Sequence, residues 1–245
     1  MKTNQQFKNE ALAALRGNWG KAVLITLLCL LITSIASAPS TYASWQADSY
    51  VQQHVGQYHN PFQLASKSLG PEIMQAYRNT QKSNALSFFL DVLLVFPLML
   101  GYANTMRKLL VDGDNNLTVN TFRIAFSKYW RKVWGMLWMN ILIFLWSLLF
   151  FIPGIIKSFS YAMTPFILEE NPEMGAVEAI HRSRMMMRGH KFDLFWLELS
   201  FIGWIILGIL TAGIGLLWII PYMQTAIAAF YEEVKADYAL NGGLD

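Results

Sequence analysis

Hydrophobic residues run along this chain in long blocks rather than alternating with polar ones. Six blocks can span or nearly span a bilayer, which takes roughly 20 apolar residues. They cover residues 21–38, 86–110, 135–152, 155–168, 192–210 and 214–231, the fourth being short. Three amphipathic stretches lead into blocks. In 121–134, Phe122, Ala125, Phe126, Tyr129, Trp130, Val133 and Trp134 recur at helical spacing, with Arg123, Lys128, Arg131 and Lys132 off that stripe. In 172–188, Asn171 reads as N-cap, Pro172 as the first helical residue and Gly189 as the stop. Its small face carries Ala176, Ala179, Ile180, Met186 and Met187, opposite His181, Arg182, Arg184 and Arg188. The weakest, 4–17, has Phe7, Ala11, Ala14 and Leu15 on one side.

The stretches end in related junctions: "RGNWG" from Arg16, "RKVWG" from Arg131 and "RGHKF" from Arg188. Each junction precedes an outgoing block, an outer turn and a returning block with a proline: Pro97, Pro165 or Pro221. From Arg131 to Pro165 is 34 residues and from Arg188 to Pro221 is 33; from Arg16 to Pro97 is 81, which fits an insertion over 39–84. The pattern predicts an all-α polytopic membrane protein with about six spans. A threefold repeat of cytoplasmic interfacial helix plus transmembrane hairpin fills one membrane domain, with units at 4–111, 118–170 and 171–235. Proline within a spanning helix frees a carbonyl and kinks the helix.

Composition narrows the class. Hydrophobic residues make up 54% and charged ones 14%, against about 25% charged in an average soluble domain. Six spans with both ends on one side place 15 Lys and Arg on that side and 4 on the other, so both termini are expected in the cytoplasm. Ala36-Ser37-Ala38 matches a signal-peptidase site, but Glu10 and the preceding amphipathic helix, with Pro39 directly after the cut, favour a retained anchor. The single Cys29 lies in an apolar run and is expected to behave as a small buried hydrophobe.

Several motifs resemble a family of bacterial integral membrane proteins known as domain of unknown function 975. They are "GNWGKA" (17–22), "IPGI" (152–155), "SYAMTPFILEENP" (160–172), "EAIHRSRMMMRGHK" (178–191), "LSFIGW" (199–204) and "GIGLLWIIPY…AFYEE" (213–233). The resemblance implies a multi-pass protein of the bacterial cytoplasmic membrane, and brings no activity, ligand or catalytic residue.

Candidate chemistry is sparse. Glu198 falls about six residues into the fifth block, roughly 9 Å past its edge at 1.5 Å per residue, where an ionisable group suggests function. Thr26 lies ten residues after Arg16, Asn140 nine after Arg131 and Glu198 ten after Arg188. The three are expected to form a polar intramembrane site at one depth, against private hydrogen bonds to neighbouring helices as the alternative. Asp91 reads as an interface residue, and Gln224 and Thr225 as partners for carbonyls that Pro221 frees. His54 and His59 in the outer loop, and His181 and His190 at a helix end, lack the ligand spacing of a metal centre. No HExxH, Walker-type or GxSxG motif is present, and Ser200 is two residues from Glu198, on another helix face. Neither catalysis nor a cofactor is expected.

Arg123, Lys128, Arg131, Lys132, Arg182, Arg184 and Arg188 are expected to face anionic lipid headgroups, at about 1 kcal/mol per cation near the surface. The tryptophans read as interfacial anchors rather than nucleic-acid platforms. The partners expected are therefore membrane lipids and a small or amphiphilic solute; oligomeric state is not legible. Non-enzymatic handling or transport of that solute is the leading expectation. The alternative is a structural or accessory protein organising lipids or a partner complex.

Overall fold

The computed structural model describes residues 1–55 and 69–241, and the elements among them are all helical. Contacts divide the chain into two compact units, Met1–Cys29 with Phe96–Asp245, and Leu30–Val95. Four helical stretches among the described residues are long and apolar enough to cross a membrane: Trp19–Ser49, Arg78–Asp112, Tyr129–Leu149 and Lys191–Leu210. They suggest a membrane protein. The fourth and sixth expected spans do not reach that standard. The fourth breaks at Ala162-Met163, and the helix of the sixth starts only at Leu216, so that its run to Glu233 takes in Gln224, Thr225, Glu232 and Glu233.

The larger unit opens with α1 (Asn4–Leu15), capped by a reciprocal box in which Thr3 Oγ1 accepts from Gln6 N–H and Thr3 N–H donates to Gln6 Oε1. It buries Phe7, Ala11 and Leu15. After Gly17, at φ +81°, the chain enters α2 (Trp19–Val55), which belongs to this unit as far as Cys29. The smaller unit holds the rest of α2, the described part of α3 (Leu69–Leu90) and a π-helical turn at Asp91–Val95. Here α2 continues without interruption through Pro39 to Val55, so the expected insertion begins as helix rather than loop. Ser40 N–H donates to Ser87 Oγ at 3.2 Å, tying α2 to α3. His59 lies outside the described residues.

The larger unit resumes with α4 (Phe96–Asp112) and α5 (Leu117–Phe126), then α6 (Tyr129–Leu149). The expected helix over 121–134 is thus two helices. Lys128 adopts the left-handed conformation at φ 43° and turns the chain between them. Next come α7 (Phe151–Tyr161), α8 (Thr164–Glu170) and α9 (Ala176–Met186). The expected N-cap at Asn171 is corrected too: α9 starts after Gly175. The reason lies in the carbonyls of Asn171 and Met174, which accept from the Arg131 guanidinium at 3.2 and 2.8 Å. A helix beginning at Pro172 would use them internally.

The chain closes with α10 (Lys191–Leu199), α11 (Ile202–Leu210) and α12 (Leu216–Leu240). Among these elements α4 packs on α5 and α8 on α9, while α12 returns to pack on α1. The last contact sets Phe7 against Phe230 with their rings tilted, centroids 5.5 Å apart. A buried core runs from Phe7 through Leu100, Phe166, Leu197 and Phe201 to Phe230 and Tyr231. The flanks are apolar and exposed, with Phe144, Leu148, Ile206 and Leu210 more than half accessible. Such surface is costly in water and matched to lipid.

Candidate functional site

The three polar residues expected at one depth differ in their register within their helices and in their bonding. Helix starts set their register: Thr26 and Glu198 are each the eighth residue of their helix, counted from Trp19 and Lys191, whereas Asn140 is the twelfth from Tyr129. The junction after α5 falls at Lys128, three residues before Arg131 rather than at it, which places Asn140 one helical turn further along. Their bonding differs as well. Thr26 is buried, donates to its own helix at Ala22 O (2.7 Å) and pairs with Tyr102 Oη at 2.7 Å. Asn140 donates to Met136 O at 2.7 Å, within its helix. Glu198 is half-buried and makes no side-chain hydrogen bond or ion pair among the described residues.

The prolines occupy three different positions. Pro97 is the second residue of α4, after the π-helical turn, and Pro165 sits in the first turn of α8. Pro221 is inside α12, where Thr225 Oγ1 donates to the carbonyl of Pro221 itself at 2.7 Å. Asn104 Nδ2 bridges Leu100 O and Pro165 O, each at 3.0 Å, pinning α4 to α8.

The seven cations expected at headgroups also part company. Arg184 and Arg188 are exposed, and exposed Arg123 donates to Asn120 Oδ1 at 2.8 Å. Lys128 pairs on the surface with Glu173 at 2.6 Å, holding that carboxyl below its usual range. Lys132 is a correction: it is 1% exposed, not headgroup-facing. Its ammonium meets Glu169 at 2.6 Å, Ser127 Oγ at 2.8 Å and the carbonyl of Ile124. Arg131 likewise turns inward, donating to the carbonyls of Leu168, Asn171 and Met174. Both follow from the break at Lys128, which rotates the start of α6 toward α8 and the loop behind it. Ser127, Lys128, Arg131, Lys132, Glu169 and Pro172 enclose a cavity of about 200 Å³ there.

A second ionic cluster joins α4, α8 and α12, and sequence reasoning missed it. Arg107 donates through Nε to Glu232 Oε1 at 2.5 Å and through Nη2 to Glu170 Oε1. Glu170 also accepts from Tyr231 Oη and Lys235 Nζ, each at 2.5 Å. Arg107 and Glu170 are 12% and 15% exposed in their side chains. The stacked rings of Phe166 and Tyr231, 4.8 Å between centroids, cover one side. Beside the cluster lies a cavity of about 310 Å³, lined by Glu170, Asn171, Arg182, Tyr231, Lys235 and Tyr238 together with Ile167 and Met186. A signal for the cluster was present in the chain: each returning segment carries charge shortly beyond its proline, of opposite sign in different segments. The distribution of Lys and Arg reports topology and says nothing of the carboxylates they meet.

A helical protein with membrane-length helices and a cross-braced polar cluster is the class these features define. Within it, this chain belongs to the family described as Protein of unknown function (DUF975), whose model matches residues 1–238. Neither the curated proteins nor the solved structures gave a match to the chain.

Proposed function

We propose that this chain is a non-enzymatic structural or accessory membrane protein that organises lipid or a partner complex at the cytoplasmic face of a bacterial inner membrane. The observation that carries this is the Arg107–Glu170–Glu232–Lys235 cluster, which binds α4, α8 and α12 together. A packed core of large side chains accompanies it. Thr26 and Asn140, expected along a solute path, are spent on bonds within or between helices. None of Thr26, Asn140 and Glu198 lines the two cavities described above.

In this reading six segments cross, α7–α8 and α12 supplying the fourth and sixth, with both termini cytoplasmic as the distribution of Lys and Arg favours. A threefold repeat has support in element order. Three short helices, α1, α5 and α9, each end at a left-handed residue (Gly17, Lys128, Gly189) before the following helix begins. The pairs α4–α5, α8–α9 and α12–α1 then follow one rule, each returning segment packing on the next unit's short helix.

A second reading, handling of a small or amphiphilic solute, draws on Glu198, a half-buried carboxyl group without a partner among the described residues. Cysteine labelling in native membranes decides between the two. In a Cys29→Ser background, single cysteines at 26, 140 and 198 are exposed to a membrane-impermeant maleimide from either side. A sealed bundle leaves position 26 unlabelled. Labelling of positions 26 and 198 from one side reveals a water-filled path and overturns the structural reading.

A further inference from the structure

We infer that the 310 Å³ cavity between α8, α9 and α12 is a binding site for a phosphate group, with Arg182 as its principal ligand. The inference rests on the proposed placement of α9 at the membrane surface, and names the lipid chemistry that such a scaffold would grip.

Charge counting is the first step. Three cations, Arg107, Lys235 and Arg182, border the cluster and its cavity, against two carboxylates, Glu170 and Glu232. Glu170 is fully committed, accepting from Arg107, Tyr231 and Lys235. Glu232 is taken by Arg107, with Lys235 at 3.9 Å. The cation in excess is Arg182. Among the described residues its one polar contact is a long one, Nη1 to Asn171 Oδ1 at 3.5 Å, and no carboxylate lies within ion-pair distance. Glu178, one turn earlier on α9, is exposed and makes no ion pair with it.

Donor chemistry is the second. A guanidinium carries five N–H donors and no acceptor, in a fork that matches two oxygens of a phosphate. Arg182 lines the cavity and is half-buried, and apart from the long contact to Asn171 its donors have no protein acceptor among the described residues. Tyr238 adds a hydroxyl without a hydrogen-bond partner among the described residues. Lys235, already paired with Glu170, lies on the same wall. Its volume falls at the lower end of the roughly 300–1,000 Å³ of ligand pockets, enough for a phosphate with a short attached group. Met186 and Ile167 give the wall an apolar side, against which a glycerol backbone or acyl stem would rest.

The ligand comes either from a phospholipid headgroup or from a phosphate ester in solution, and two probes separate these sources. Purified full-length protein in a zwitterionic detergent is titrated by calorimetry with dihexanoylphosphatidic acid and, separately, with glycerol 3-phosphate. Saturable binding of the lipid alone assigns a headgroup site; binding of both assigns a site for phosphate esters generally. In either case Arg182→Gln is expected to weaken binding by at least about tenfold, the loss of a charge-assisted pair. Arg16→Gln, which alters an exposed arginine outside the cavity, is expected to leave it unchanged. Tyr238→Phe removes only a hydroxyl and weakens binding about threefold, and it reads the same site should Arg182→Gln fold poorly. Absence of binding by both probes overturns the inference. So does wild-type affinity in Arg182→Gln, or an equal loss in Arg16→Gln, which would mark diffuse surface charge. Cysteine labelling tests the sealed bundle independently, so the two can fail separately.

Discussion

Replacing Glu170 with Gln keeps the shape of the side chain and removes its charge. In the folded protein this carboxylate accepts from Arg107, Tyr231 and Lys235, and with Arg107 it is nearly buried. Breaking a buried ion pair from one side costs about 3–5 kcal/mol, since the remaining charge stays desolvated. Arg107 keeps Glu232 at 2.5 Å, and the new amide oxygen still accepts one bond, so the low end applies: about 3 kcal/mol. For a chain of this size each kcal/mol moves Tm by about 2–4 °C, predicting a fall of roughly 6–12 °C. Unfolding of the full chain in detergent, followed by tryptophan fluorescence, measures it. Lys128→Gln is the comparison, because its partner Glu173 is 94% exposed and such pairs contribute under about 1 kcal/mol. In the double variant with Arg107→Met, the cost should fall below the sum of the two singles, showing direct coupling. The reasoning fails if Glu170→Gln unfolds at the wild-type temperature, or if Lys128→Gln is equally damaging.

Lys132→Gln should resemble Glu170→Gln rather than Lys128→Gln, because the buried ammonium serves Glu169, Ser127 and the Ile124 carbonyl; the same thermal scan checks this. Gly101→Ala should destabilise by about 1–3 kcal/mol, since a Cβ there would press on the Thr121 carbonyl and lie 3.0 Å from Ala125 Cβ; an unchanged Tm would mean that α5 moves aside freely. Asp114 titrates below the ordinary carboxylate range because it accepts from Asn116 N–H and from the Asn120 amide. A depressed folded pKa stabilises above the unfolded value of about 3.9 and loses that contribution as pH falls through the folded value. The Asn116 and Asn120 amide resonances should therefore titrate with a midpoint below about 3.9, and a midpoint at or above it contradicts the contact.

The short helices show how far a linear pattern reaches. The buried face of α9, with Ala176, Ala179, Ile180 and Met186, follows from 3.6-residue spacing, and so does that of α1. Gly189 as the end of that helical run was legible because glycine tolerates positive φ. The break at Lys128 was not, for a lysine in the left-handed region is set by what surrounds it. Lys132 buries its ammonium against Glu169, 37 residues away, and no local pattern distinguishes it from the exposed Lys128. The candidate cluster was hidden for the same reason: Arg107 and Glu232 are 125 residues apart and meet only when α4 packs on α12.

By itself the sequence determined the helical class, the apolar blocks and the family, because hydrophobic periodicity and block length are properties of neighbouring residues. Tertiary structure alone decided which charges are buried and which are paired. Those outcomes depend on distances between helices far apart in the chain, where desolvation makes an unpaired charge costly and a matched one durable.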